Sequence, residues 1–516
     1  MRRVLYNTSN ADPFVKVALK LQLEHGFTPV YWIGFNYDHS EELVPAAFPG
    51  ICYQPYGDAW RCIFNEEVQK KAIECYVDID MLNELSRYEL QAIKMMDRLD
   101  FDRYSFNYME RERHYLNLMK NWLAVFEIYK PDLVISATNP HRVYDYVLYL
   151  LCKKKGIPFI IFEYSMCTEW TWINTDLYSS GNRFEIPYKK YLQEENIAID
   201  DLPLEIRGEL ERVVKDYSEA LPYYMAEHKK DSKKQLNFFS MIWIHFKKHK
   251  WFGKNGIFTT GEVPSLMRKR KGYSLEDRKT TLIDSISEKF KQLSYCKKMT
   301  KFYTSLTTTP KEGERYILCA LHYQPEETTS PSGDMFVNQL LCIETILKNT
   351  PKDVLVYVKE HPTQFMPHTL GQTSRIKEFY SDLFKNPRVR IMPMDYNTFS
   401  LIDGSIAVST VTGTIGWEAA MRRKPVIMFG MFWYEKMPGV LRITDTASAE
   451  KMYDFITNYE YDEKKVLAYL MAFAEKSFKC YQYDGMKERM DLSEEECVDN
   501  IANAIIKNLE EKHFDI

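Results

Sequence analysis

Paired cysteines, long apolar runs and a strong charge of either sign are all missing from this chain of 516 residues. Its ten cysteines contain no C-x-x-C pair, so neither a zinc site nor a compact disulfide framework is expected, and a reducing compartment fits best. No stretch approaches the roughly 18 uncharged apolar residues of a membrane-spanning helix. The apolar run after Arg2-Arg3 is also too short for the core of a signal peptide. A formal net charge of -4 gives no global reason to bind nucleic acid. Glycine is scarce too, 20 in all, yet Gly413 and Gly416 fall in one short turn rich in Ser and Thr. What is present is ordinary globular material: 45% hydrophobic, 27% charged and 14% aromatic residues, long enough for two or three domains.

The first part alternates strand and helix signals. Val4 to Tyr6, Pro29 to Ile33, Leu133 to Ser136 and 157–162 read as strands. Between them, Pro13 to His25 and Tyr144 to Lys155 read as helices closed by Gly26 and Gly156. Residues from 203 to about 300 are charged and helical, with few strand signals. Alternation resumes at Tyr316 to Leu321, with further strands at Val354 to Lys359, Val389 to Met392 and Ile406 to Ser409, and a last one at Pro425 to Phe429. Helices are expected at Asp334 to Lys348, Ser374 to Phe384 and Gly416 to Arg422, and the chain is helical after Asp445. This is β-α-β grammar twice over, around a helical insert. The expected division is 1–202, an insert at 203–305, a second α/β domain at 306–445, and C-terminal helices at 446–516 that pack back on the cleft.

Open parallel sheets bind ligands beyond the carboxyl ends of their strands. In the second half those ends are polar. After Tyr316 to Leu321 come His322, Gln324 and Glu326; after Val354 to Lys359 come His361 and Pro362. Pro362 biases His361 toward an extended backbone, which would aim an imidazole into the cleft as a donor to phosphate. The turn Ser409, Thr410, Thr412, Gly413, Thr414 leads into a helix whose first amides and dipole suit an anion. The same small residues also suit close packing of strand on helix. Glu418, placed in that helix's first turn, is a candidate for ribose hydroxyls. The turn matches neither G-x-x-x-x-G-K-[ST] nor G-x-G-x-x-G, so a P-loop kinase and a dinucleotide dehydrogenase are not supported.

"LHYQPEETTSP" (321–331), "VKEHP" (358–362) and "STVTGTIGWEAAMRRKPVIMFG" (409–430), in that order, resemble the bacterial capsular polysaccharide biosynthesis proteins, glycosyltransferases of GT-B architecture that include retaining β-Kdo transferases. The resemblance implies two Rossmann-like domains facing a cleft. It implies a nucleotide-sugar donor, a CMP-sugar such as CMP-Kdo ahead of a UDP-sugar, held by the C-terminal domain, and a glycan or glycolipid acceptor held by the N-terminal one. On that pattern His361 and Pro362 contact the nucleotide phosphate, the 409–414 turn holds phosphate or the sugar carboxylate, and Gln324 and Glu326 line the donor site.

GT-B enzymes need no bound metal, so no cofactor is expected beyond the nucleotide-sugar co-substrate. The D-x-D triplets at 78–80 and 100–102 are read as chance. A carboxylate or similar group near the anomeric carbon is expected in the N-terminal half of the cleft. Glu163 is the first candidate, with Asn139, His141 and the loop from Asn7 to Asp12 behind it. The first half carries no family motif, so acceptor and base stay open.

"FFSMIWIHFKKHKWFGK" (238–254), following Lys229, Lys230, Lys233 and Lys234, interleaves aromatics with lysines. It reads equally as a helix lying on an anionic membrane surface and as a solvated hairpin whose apolar face meets the core. The expected location is cytoplasmic, with the inner face of the cell membrane as a second place. A nucleotide-sugar epimerase, a glycerophosphotransferase and a non-catalytic capsule assembly or export factor are the competing functions.

Overall fold

The computed structural model describes residues 2–35, 38–100, 106–165, 170–215, 269–271, 274–276, 282–366, 369 and 371–512. The basic stretch 229–254 lies outside the described residues, and with it the membrane-anchor expectation.

The first sheet comprises β1 (Arg2–Asn7), β2 (Phe27–Gly34), β3 (Cys52–Pro55), β4 (Leu133–Ser136), β5 (Phe159–Tyr164) and β6 (Thr171–Asn174). Its order is β3-β2-β1-β4-β5-β6, parallel except where β6 turns back along β5. A separate hairpin joins β7 (Lys269–Lys271) to β8 (Ser274–Glu276). The second sheet comprises β9 (Tyr316–Ala320), β10 (Leu355–Lys359), β11 (Val389–Met392), β12 (Ala407–Thr410), β13 (Val426–Met428) and β14 (Val440–Arg442). It repeats the same order, β11-β10-β9-β12-β13-β14, and is parallel throughout. The protein is therefore α/β with two Rossmann-like domains, each with its switch point beside its first strand: β1/β4 in one, β9/β12 in the other.

Each sheet is buried on both faces, as a parallel sheet must be. Along β1, Leu5 enters one core while Val4 and Tyr6 enter the other. Along β9, Ile317 and Cys319 face one core while Tyr316 and Leu318 face its opposite. Near-continuous apolar strands follow from this two-sided burial. It also explains why short β-branched runs could be read as strands.

Four expectations need correction. β14 follows the strand expected to be last; it has three residues, all half-buried, and so carries no apolar run. β3 (CYQP) and β6 (TWIN) were not foreseen either, because polar residues or proline interrupt their apolar ones. The helix expected from Asp334 begins at Gln339, because 334–337 is a 3-10 turn and the Asn338 side chain caps Leu340 N at 3.3 Å. The helix after β12 begins at Thr414, two residues earlier than expected.

The halves are tied together by a shared core. Trp172, Phe184, Leu202 and Ile206 share one core with Trp417, Trp433, Leu470 and Phe473. The chain then returns to the first sheet. Helix Glu494–Glu511 buries Cys497, Ile501 and Ile505 in the core that holds Phe14 and Leu21 of helix Ala11–His25.

Candidate active site

The strand ends of the second sheet are stitched into one network, and Arg375 is its centre. Its guanidinium, 1% exposed, donates to the Glu360 carboxylate (2.8 Å), to the His322 carbonyl (3.3 Å) and to the Gln324 side chain. Glu360 in turn accepts from Tyr380 and from the backbone N–H of His361 (2.8 Å). The Gln364 amide pairs with the Gln324 backbone in both directions (2.9 and 3.2 Å). Gln339 does the same for His322 (2.7 and 3.2 Å). A buried ion pair stays favourable only when its remaining lone pairs and protons are bonded, and here they are.

This network assigns the expected site residues to different tasks. Gln324 does not line a donor pocket. It is 5% exposed, and its amide N–H also donates to the Val337 carbonyl (2.6 Å), so the side chain is spent on holding loops. His322 is a cross-brace from β9 to the turn after β12. Its Nε2 accepts from the N–H groups of Val411 and Thr412, both at 3.1 Å, and from Thr410 Oγ1 at 3.0 Å. Burial drops its pKa to about 3, so it stays neutral. His361 remains at the strand end, half-buried. Its Nδ1 accepts from Thr363 N (3.3 Å) and meets Thr363 Oγ1 (2.8 Å), which fixes the ring and leaves Nε2 as the N–H side. Pro362 follows it in the same half-buried turn.

The 409–414 turn is likewise partly a packing device. Ser409 lies inside β12, fully buried, with its hydroxyl against Cys319 Sγ at 4.0 Å, and so does not face a ligand. Thr410 Oγ1 accepts from Gly413 N (3.0 Å), and Thr412 Oγ1 donates to the Thr328 carbonyl (2.8 Å). A Cβ on Gly413 would sit 2.8 Å from Thr410 Oγ1 and 3.1 Å from the His322 ring; one on Gly416 would sit 2.5 Å from the Tyr434 hydroxyl. The amides of 411–413 are thus consumed internally. Those of Thr414 and Ile415, half-buried in the first turn of helix Thr414–Met421, have no acceptor among the described residues. Amides left over at a helix N-terminus are where an acceptor from outside the chain can bond.

Glu418 lies in the second turn of that helix, not the first. It is 6% exposed, and burial raises its pKa to about 7 despite Arg212, Arg422 and Lys359 nearby, with Glu209 adding to the rise. No group among the described residues donates a hydrogen bond to its carboxylate. Glu326 is exposed, accepts from Thr328 Oγ1 (3.0 Å) and opens the 326–333 loop.

In the first half Glu163 is placed differently from expectation. It lies within β5, not beyond it, and its carboxylate accepts from Trp172 Nε1 (2.9 Å), Asn174 Nδ2 (3.0 Å) and Ser180 Oγ (2.6 Å). With both oxygens engaged and only 5% exposure it is a structural bridge, not a base. The two D-x-D triplets supply structural groups as well. Asp78 caps helix Ile79–Met95, and Asp100 pairs with Arg111 at 2.9 Å. No metal-binding cluster occurs among the described residues.

Asn139 and His141 stand beyond β4 and meet the 326–333 loop of the other domain. His141 Nδ1 donates to the Asn139 carbonyl (2.6 Å) and lies 3.6 Å from Glu327 Oε2. Burial, with Arg142 and Arg98 adding, holds the His141 ring well below its usual pKa. Arg98, Arg375, Gln364 and Glu327 were missed by sequence reasoning. Of these only Glu327 gave a signal, as the second carboxylate in "PEETTSP". Two surface cavities, of about 340 and 280 Å³, lie elsewhere, one beside Gly156 and Ile157 and the other beside Gly439 and Tyr459.

Comparison with known proteins gives the strand ends a family context. The family model described as "Capsule polysaccharide biosynthesis protein" matches residues 323–481, so the resemblance drawn from the motifs holds over that segment, under a third of the chain. No curated protein matches. Among solved structures, a UDP-GlcNAc 2-epimerase from Methanocaldococcus jannaschii is 12% identical, covering 92% of this chain and 99% of its own, with a TM-score of 0.24. The β-Kdo 2,4 transferase of Thermosulfurimonas dismutans KpsC is 12% identical, covering 68% and 85%, with a TM-score of 0.27. The β-Kdo 2,7 transferase of the same protein is 14% identical, covering 44% and 67%, at 0.23. Scores this low carry no weight for activity, and the Rossmann-like assignment stands on the strand pairing.

Proposed function

We propose that this protein is a metal-independent glycosyltransferase of GT-B type. It moves a sugar from a nucleotide-sugar, a CMP-sugar such as CMP-Kdo ahead of a UDP-sugar, onto a glycan or glycolipid acceptor in capsule polysaccharide assembly. One observation carries the reading. The segment matched by the capsule family includes two features of the second sheet suited to an anion, His361 and the amides of Thr414 and Ile415, which have no acceptor among the described residues. A phosphate between them would be stabilised by an N–H donor and a helix N-terminus, the means by which a leaving nucleotide is held without a metal. Glu418, buried without a hydrogen bond, is the group proposed for the ribose hydroxyls. The protein is proposed to work in the cytoplasm; no helix among the described residues is long and apolar enough to cross a membrane.

Thermal unfolding with CMP, CDP, UDP and GDP, with and without EDTA, on the wild type and on His361→Ala, tests this. A bound nucleotide at 100 times its Kd adds about 2.7 kcal/mol. CMP or UDP should raise the melting temperature, EDTA should not remove the rise, and His361→Ala should reduce it. No response to any nucleotide would reject the reading. Interconversion of the sugar nucleotide without acceptor would show an epimerase instead.

A further inference from the structure

Glu327 occupies the seam between the two domains. Its loop is pinned on the second-sheet side by Thr412 Oγ1 to Thr328 O (2.8 Å) and Met431 N to Ser332 O (2.8 Å). On the first-sheet side, Arg98 donates to the Ser330 carbonyl (3.5 Å) and to the His141 carbonyl (2.5 Å), and Gln91 donates to the Asp334 carbonyl. The carboxylate therefore sits at the end of β4, where Asn139 and His141 face it, while its loop is tied through Thr328 to the turn that starts helix Thr414–Met421. Its side chain keeps 33% of its surface open, enough for a substrate hydroxyl to reach it.

We propose that Glu327 is the base that takes the proton from the acceptor hydroxyl, the role that the engaged carboxylate of Glu163 cannot fill. This rests on the glycosyltransferase reading. In the transfer the acceptor oxygen forms its bond to the anomeric carbon. The bond from that carbon to the donor phosphate breaks with its electron pair going to the phosphate, and Glu327 receives the proton. The charges around it suit the task. Burial lifts its carboxyl to about 7 and Glu326 adds to the rise, while the Asn139 amide, Arg98 and Arg142 pull the other way. His141, the remaining titratable neighbour, stays neutral. The rise is toward neutral pH, and a base works best when its pKa lies near the operating pH.

The test is release of CMP from CMP-Kdo and of UDP from UDP-GlcNAc, with a detergent extract of bacterial envelope glycolipid as acceptor. It is run across pH 5 to 9 on wild type, Glu327→Gln and Glu327→Asp, with nucleotide binding followed by thermal shift. The wild-type kcat/KM should rise through about pH 7. Glu327→Gln should lose about 100-fold or more in kcat, together with that rise, while nucleotide binding persists; Glu327→Asp should recover part of the rate and of the pH dependence. A Glu327→Gln enzyme within about threefold of wild type, with the same pH profile, would overturn the assignment and leave the transferase reading intact. A wild type that neither binds nucleotide nor transfers sugar overturns both.

Discussion

At the ends of β9, β10 and β12, buried polar side chains are bonded to one another. At the ends of β1 and β4, several buried atoms have no hydrogen-bond partner among the described residues: Asn7 Oδ1, Asn139 Oδ1, Arg142 Nη1 and Asp145 Oδ2. The two sheets have the same strand order, so topology does not explain the contrast. Buried polar groups are usually paired, and each orphan costs on the order of 1–3 kcal/mol. The second domain has its strand ends braced before any ligand arrives, whereas the first keeps hydrogen-bonding capacity unspent where its switch point opens. Arg375 and Arg142 embody the difference. One is bonded to three partners, while the other has Phe35 and Tyr56 near its guanidinium, at 5.9 and 5.8 Å, and an unpaired Nη1.

The largest test of this contrast is Arg375→Met. Removing one partner of a buried pair strands the Glu360 carboxylate, so chemical denaturation should show a loss of about 3–5 kcal/mol. A loss below about 1 kcal/mol would mean that the brace is not what holds the second sheet's ends.

Glu418 is the second domain's own exception, a buried carboxylate without a donor among the described residues, and its effect has a definite sign with pH. Its folded pKa of about 7 lies above the 4.5 of an ordinary glutamate. The folded state therefore holds its proton more tightly, and stability falls as pH rises from 4.5 to 7, with the penalty complete above that. Glu418→Gln should match wild type below pH 4.5 and exceed it at pH 8 by up to about 3 kcal/mol. Equal stability of the two proteins at pH 8 would place the carboxylate in a better-solvated site than its 6% exposure indicates.

The smallest effect is expected from Arg142→Met, the same change made in the first domain. With no side-chain hydrogen bond among the described residues to lose, and only its charge beside Asp145 and Glu327 removed, folding stability should shift by about 1 kcal/mol, well below the loss for Arg375→Met. A loss as large as that of Arg375→Met would erase the contrast between the domains.

The second domain was the more legible half because its function-bearing residues sit in runs directly after apolar strands. "HYQPEE", "EHP" and "STVTGT" stand out locally, and three of them land on neighbouring strand ends. What could not be read was which of these polar residues face a ligand. His322 and Gln324 look like ligand contacts in sequence and turn out to be braces, since the partners that consume them, at 364, 375, 411 and 412, are remote along the chain. Arg375 lies in "TSRIKEFY", where nothing separates a buried hub from a solvated helix residue. In the first half β3 and β6 are four residues long, and Glu163 could be placed only to within a residue or two of its strand's end. That uncertainty decides whether a carboxylate faces a cleft or its neighbouring strand.

Local chemistry determined the alternation of strands and helices, the Gly26 and Gly156 helix ends, and the concentration of polar residues after β9, β10 and β12, because each depends on periodicity or backbone preference within a few residues. Tertiary structure decided the rest. It paired Glu163 with Trp172 and Asn174, spent the amides of Val411 and Thr412 on His322, and brought Glu327 to Asn139 and His141 across the seam between domains. Whether a buried polar group is a brace or a reactive group depends on how many partners reach it. Those partners come from segments that only the packed chain brings together.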